Sequence, residues 1–283
     1  MKKESVRKMI PLICGLAGAL AVAALAILVP HIGSPAKEGH HVVIFGDSII
    51  AYTQDETSVA RMLAGRTGMD IFDLSFGGTQ MAPSLDVDTL GNKRNYLCMY
   101  SIAQSLYSDD FTLQENHFSF GPVDYFDGRI AQLETLDLGS TDIVIIEHLL
   151  NDYHSCTPIT SDDPDEYTYT GALTAVVGYI RQINPDIRII ILSPTKKWLL
   201  NGPEAGDIDY GGGTMNTYLD AQRKTAERLG VEYLDITDIY DKEYITPDGE
   251  VITGYGYTVD GTHPNLWGRL AISERLAEYL EES

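Results

Sequence analysis

Cysteine is scarce in this chain, with three among 283 residues. Three thiols cannot staple a fold of this size, so stability has to come from a buried core. Cys98 and Cys156 fit no metal-type spacing and read as isolated thiols, with one disulfide between them as the alternative. Basic residues are also short, 20 against 41 acidic, for a formal net charge of −21. Such a surface repels phosphate backbones and argues against a nucleic-acid partner. No Walker loop, no Gly-x-Gly-x-x-Gly after a strand and no His-Glu-x-x-His helix occurs, so no cofactor or metal is expected. A Gly-x-Ser-x-Gly elbow is missing too, which sets aside the common α/β-hydrolase arrangement. His148 and His154 suit no single helical face and do not form a metal pair.

Charge is also absent from the apolar run Ile10–Val29, which follows Lys2, Lys3, Arg7 and Lys8. As a helix such a run is about 30 Å long, the thickness of a bilayer's hydrocarbon core. A basic flank holds the N-terminus in the cytoplasm and sends the remainder outward. The run exceeds the roughly 7–15 residue core of a cleaved signal, which favours a single-pass membrane anchor with the following domain outside. Ser34-Pro35-Ala36 offers small residues for a signal peptidase, so secretion after cleavage stays open. Residues 1–36 therefore read as cytoplasmic tip, apolar helix and linker, and 37–283 as one domain.

Within that domain short β-branched runs alternate with helix-period stretches. Strands are expected at His41–Phe45, Asp70–Leu74, Asp142–Glu147, Arg188–Leu192 and Val231–Ile236. Several are apolar on consecutive positions, as strands buried on both faces are. Helices are expected at Thr57–Arg66, Tyr125–Leu136, Gly171–Ile183, Met215–Leu229 and roughly Asn265–Glu281. The alternation predicts right-handed βαβ units and a three-layer α/β/α sandwich with a parallel sheet of about five strands. Three long connections, Gln80–Pro122, Ser193–Thr214 and Thr237–Asp260, are placed to build a binding site.

In a doubly wound sheet of order 2-1-3-4-5, ligands bind where the winding reverses, at the carboxyl ends of the strands. Gly46-Asp47-Ser48, Gly77-Gly78-Thr79 and Asn151-Asp152 converge there. They supply a hydroxyl nucleophile, backbone N–H groups and a side-chain amide, which is what acyl transfer needs. A serine requires a base, and His263 in Asp260-Gly261-Thr262-His263-Pro264 is the candidate. A carboxylate three residues earlier can reach its Nδ1–H and fix the tautomer.

These blocks resemble the SGNH subgroup of the GDSL esterases and lipases. Gly46-Asp47-Ser48-Ile49 is similar to the nucleophile block, with Ile49 at the usual Leu. Gly78 matches the glycine of the second block, Asn151-Asp152 the third and Asp260-x-x-His263-Pro the last. The resemblance implies Ser48 as nucleophile, His263 as base and Asp260 as its orienting partner. It also implies an oxyanion hole of the Ser48 and Gly78 N–H groups and the Asn151 amide. Two departures stand out: Leu149 replaces the glycine two residues before Asn151, and Asp73 and Ser75 replace Asn and Gly ahead of the second block.

The expected activity is that of an exported serine esterase acting on small acyl esters, acetyl foremost, on a carbohydrate. Tyr244, Tyr255 and Tyr257 suggest a sugar-stacking surface, and Asp47, Asp152, Tyr255 and Tyr257 are the candidate substrate contacts. Tyrosines that straddle core and water are the alternative reading. An acyltransferase to a sugar acceptor would use the same triad, and a catalytically silent cell-surface binding module is the third possibility.

Overall fold

The computed structural model describes residues 40–84, 95–115, 125–160 and 165–282. The expected N-terminal helix, its basic tip and the linker to residue 36 lie outside the described residues. Among the described residues, no helix is long and apolar enough to cross a membrane.

The chain runs β1 (His41–Gly46), α1 (Ser48–Ala51), α2 (Val59–Thr67), β2 (Asp70–Asp73), α3 (Met99–Ser108), α4 (Thr112–Glu115) and α5 (Tyr125–Glu134). It continues with β3 (Ile143–Glu147), α6 (Leu150–His154), α7 (Tyr169–Ile183), β4 (Arg188–Leu192), α8 (Met215–Leu229) and β5 (Glu232–Leu234). A short hairpin, β6 (Tyr244–Ile245) and β7 (Val251–Ile252), precedes the last helix, α9 (Leu266–Glu282).

The five main strands pair in parallel in the order β2-β1-β3-β4-β5. Alternate side chains of these strands feed two separate cores, because successive residues of a strand face opposite sides of the sheet. Val43, Phe45, Val144, Ile146, Ile189 and Ile191 pack on one side with residues of α3, α5, α7 and α8. Val42, Ile44, Ile143, Ile145, Ile190 and Leu192 pack on the other with α1, α2 and α9. Helices thus cover both faces, which is why the strands read as unbroken apolar runs. Side-chain oxygens of Ser58, Thr168 and Thr214 cap the N-termini of α2, α7 and α8.

Strand β5 is shorter than the sequence pattern predicts, Glu232–Leu234 rather than Val231–Ile236. It is an edge strand paired only with β4, and its ladder stops opposite Leu192. The loop 193–214 is pinned by isolated bridges between Trp198 and Glu204 and between Asp209 and Thr214. Cys98 and Cys156 are free thiols. Cys98 is buried, and desolvation pushes its thiol up to about 11, so it stays protonated.

Candidate active site

The register of the sheet sets the first half of the site. Gly46 is the Cα partner of Glu147, so β1 and β3 end side by side. The Leu74 N–H donates to the Ile44 carbonyl and the Phe76 N–H to that of Gly46, which carries the chain after β2 alongside β1. Ser48, Gly77-Gly78 and Asn151 are thereby delivered to one edge from three different strands.

Asp47 terminates β1 and caps α1, its Oδ1 accepting from the Ile49 N–H at 2.8 Å. That cap sets Ser48 as the first residue of α1. The Ser48 and Gly78 N–H groups have no hydrogen-bond partner among the described residues. The Gly77 N–H is engaged instead, donating to the Tyr125 hydroxyl at 3.1 Å. Gly78 adopts φ 78°, the left-handed region in which a side chain is strained. Of the two glycines, Gly78 is therefore the one with a free N–H.

The second half comes from the connection between β5 and α9. His263 Nε2 lies 3.0 Å from Ser48 Oγ, and His263 Nδ1 lies 2.7 Å from Asp260 Oδ2. A carboxylate only accepts, so Nδ1 carries the proton and Nε2 accepts from the serine hydroxyl. Asp260 Oδ1 accepts from the backbone N–H groups of Thr262 and His263, at 3.0 and 2.8 Å. Burial alone would raise the Asp260 carboxyl, but the imidazole and these two N–H groups outweigh it and hold it below its ordinary range. The exposed Tyr52 ring stacks on the imidazole, with centroids 4.6 Å apart at 20°.

Gly261 fixes the shape of this turn. It has φ 90°, and a Cβ built on it would lie 2.5 Å from the Trp198 carbonyl oxygen. The Trp198 N–H donates to the Gly261 carbonyl at 2.7 Å, so the loops after β4 and β5 are locked together two residues before His263.

Asn151 is tied to Asp47, the residue before Ser48, and its amide is already engaged. Nδ2 donates to Asp47 Oδ2 at 2.8 Å and to the Thr79 carbonyl at 2.9 Å. Leu149 does not displace this segment. Its φ of −166° needs no glycine, and its side chain is fully buried in the core. Asp73 accepts from the Ser75 N–H and pairs with the buried Arg129 guanidinium.

Three of the candidate substrate contacts lie elsewhere than expected. Asp47 and Asp152 are fully buried; the Asp152 carboxylate accepts from the Met81 and Ala82 N–H groups at 2.7 and 3.1 Å, tying the chain after β2 to α6. Tyr257 is buried, stacks on Tyr240 at 4.8 Å and 9°, and donates its hydroxyl to the Lys242 carbonyl. These side chains offer no surface to a ligand. Tyr255 is half-buried, its ring beside Gly261, and Tyr244 packs on Trp267 at 4.8 Å.

Beneath Ser48 the structure adds a group that sequence reasoning did not single out. Glu147, fully buried, accepts from the Asp47 backbone N–H at 3.4 Å through Oε2, which sets its carboxyl close to that of Asp47. Desolvation and the adjacent Asp47 charge push the Glu147 carboxyl well above its ordinary range. Burial raises Asp47 to about 6, opposed by the Ile49 N–H and by the neighbouring His263, Glu147 and Asn151. Two carboxyls in such a site cannot both ionise cheaply, so Glu147 holds the proton and Asp47 the charge.

A hydroxyl, an imidazole and a carboxylate joined by hydrogen bonds at the reversal point of a parallel sheet form the arrangement that a hydrolase of the serine type requires. The chain belongs to the GDSL-like lipase/acylhydrolase family, whose sequence pattern matches residues 114–269. It is an ester-hydrolysing serine hydrolase. The matched stretch includes Asn151, Asp260 and His263, while Ser48 and Gly78 precede it and are brought in by the sheet. Two solved structures show the same fold. A protein from Lactobacillus plantarum is 18% identical, with TM-score 0.59 over 87% of this chain and 98% of its own. A possible lipase from Chitinophaga pinensis is 16% identical, with TM-score 0.56 over 86% of this chain and 98% of its own. No curated protein matches the sequence.

Proposed function

We propose that Ser48 is the nucleophile of an exported esterase that removes short acyl groups, acetyl foremost, from a carbohydrate. The observation that carries this reading is the unbroken chain Ser48 Oγ, His263 Nε2, His263 Nδ1, Asp260 Oδ2, with links of 3.0 and 2.7 Å. As Ser48 Oγ bonds to the ester carbonyl carbon, its proton passes to His263 Nε2, and Asp260 stabilises the imidazolium. The carbonyl electron pair moves onto oxygen, where the free N–H groups of Ser48 and Gly78 meet it. Asn151 adds a third donor by sharing a hydrogen now directed at Thr79 or Asp47. The tetrahedral species collapses, the C–O bond to the alcohol breaks, and the alcohol leaves with the proton from His263. Water, deprotonated by His263, then attacks the acyl carbonyl carbon; the bond to Ser48 Oγ breaks, Oγ takes the proton back from His263, and the acyl group leaves as the free acid.

Export rests on the basic flank and apolar run at residues 2–29, and the carbohydrate on the exposed aromatic face of Tyr52 against His263. A fluorophosphonate probe tests the nucleophile: wild-type protein is expected to label and Ser48→Ala not to. Turnover of 4-nitrophenyl acetate is expected to fall by roughly 10⁴ or more in that variant. Equal labelling of both proteins would place the nucleophile elsewhere.

A further inference from the structure

Helix α6 carries Asn151, and three residues on it carries His154, so the two side chains share a face. From the loop after β4, Lys197 reaches the same place: its Nζ donates to His154 Nε2 at 2.6 Å. The next residue, Trp198, is the one whose N–H holds the Gly261 carbonyl of the triad turn. Lys197 and His154 therefore flank the acyl-transfer site on its β4 side.

The ammonium is unusually placed. Lys197 is only 9% exposed. Among the described residues no carboxylate comes within ion-pair distance of it. Asp260 is the nearest acidic influence, but its two oxygens are committed to His263 and to backbone N–H groups. Tyr210 lies under the charge, 5.7 Å from Nζ to the ring centroid, and packs edge-on against His154 at 5.5 Å. A secluded cation whose hydrogen-bond partner is neutral and whose carboxylate neighbour Asp260 is already engaged is costly, and an anion brought by a ligand would reduce that cost.

His154 lies at the surface, but its ring packs against Tyr153 and Tyr210; that desolvation, with Lys197 and His263, pushes its imidazole down to about 4, so it is neutral in this pairing. With Nε2 accepting from Lys197, Nδ1 carries the hydrogen. The pair then presents the spare N–H groups of Nζ and an imidazole N–H. At a net charge of −21 the protein as a whole repels anions, so capture of one depends on a local cation.

We propose that Lys197 and His154 form an anion-recognising subsite, selecting esters that bear a carboxylate or phosphate close to the scissile bond. The proposal deepens the esterase reading and rests on Ser48 being the nucleophile. It is tested by the rate at which a neutral fluorophosphonate labels Ser48, at constant ionic strength, with glucose, glucuronate or inorganic phosphate added. Glucuronate or phosphate is expected to slow labelling by about tenfold relative to glucose, as one charge-assisted hydrogen bond would. Which of the two protects identifies the anion. Each variant is compared with its own uninhibited rate. Protection is expected to vanish in Lys197→Gln, to survive in Lys197→Arg and to weaken in His154→Gln, whose exposed position makes it the safer variant for folding. Equal effects of glucose and both anions, or protection that persists in Lys197→Gln and His154→Gln, overturn the subsite alone. Absence of labelling in wild-type protein under every condition overturns the nucleophile reading and the subsite with it.

Discussion

The two halves of the active site are held by different means. Ser48, Gly78 and Asn151 hang from the ends of β1, β2 and β3, over the fully buried side chains of Asp47, Glu147 and Asp152, which bond to the backbone and to Asn151 there. Asp260 and His263 sit on a turn outside the main sheet, with side chains 42% and 25% exposed. That turn is held by one loop-to-loop bond, Trp198 N–H to Gly261 O, and by two within itself, Gly261 N–H to Thr258 Oγ1 and Val259 N–H to His263 O. The Ser48 half is thus an extension of the core, and the His263 half, the base half of the proposed mechanism, is delivered to it. Changes in the first should cost stability and rate together, whereas changes in the second can cost rate alone.

The largest effect expected in the base half is that of Asp260→Ala. Loss of the group that orients His263 should lower kcat by roughly 10³–10⁴, by analogy with serine triads in general. Because Asp260 is partly exposed, the melting temperature should move little. A large drop in melting temperature would show that the turn is as deeply built in as the strand ends.

Asn151→Ala is the matching change in the core half. Loss of one oxyanion donor should lower kcat by roughly 10²–10³. Here a stability loss of about 1–3 kcal/mol should accompany it, because Asp47 Oδ2 and the Thr79 carbonyl each lose a donor. Chemical denaturation beside steady-state kinetics reads both quantities. A rate loss without any stability loss would mean that the amide is free in solution rather than tied to Asp47.

Gly261→Ala probes the lock between the halves. The added Cβ meets the Trp198 carbonyl at φ 90°, so about 1–3 kcal/mol of strain has to be relieved by moving the turn. The expected outcome is a fall in kcat and a smaller loss of stability. Unchanged kinetics would show that the turn tolerates displacement from Ser48.

The same division explains what the sequence made legible. β4 and α8 fall where the residue pattern puts them, since an unbroken Arg-Ile-Ile-Ile-Leu run and a helical stretch ended by Gly230 are local signals. The strand-end positions of Ser48, Gly78 and Asn151 follow from topology, and the Asp260–His263 spacing is likewise local. Tyr257 was misplaced because a tyrosine serves equally as core and as surface, and only packing against Tyr240 decides. Lys197 carries no period and no motif; its burial comes from where the loop after β4 turns back toward α6. Glu147 closes an apolar strand and looks like a strand-end charge, until register sets it against Gly46 and beneath Asp47.

Glu147→Gln sharpens the comparison at its smallest expected effect. In the folded protein Glu147 keeps its proton well above its ordinary value of 4.5, for reasons of desolvation and the Asp47 charge. The unfolded chain releases that proton near 4.5. Between that pH and its native value the folded state binds more protons than the unfolded one, so stability falls as pH rises, by at most about 1.4 kcal/mol per pH unit from this group. A glutamine cannot titrate, and its amide can still donate to Asp47. Relative to wild type, Glu147→Gln should therefore gain stability steadily from pH 5 to pH 8 in urea unfolding. Asp47, raised by burial to about 6, and Asp152, raised by burial to about 7, contribute slopes of the same sign that the variant retains. A constant difference between the two proteins across that range would mean that Glu147 is already ionised in the folded state, and that the core half of the site carries a full buried charge pair beneath Ser48.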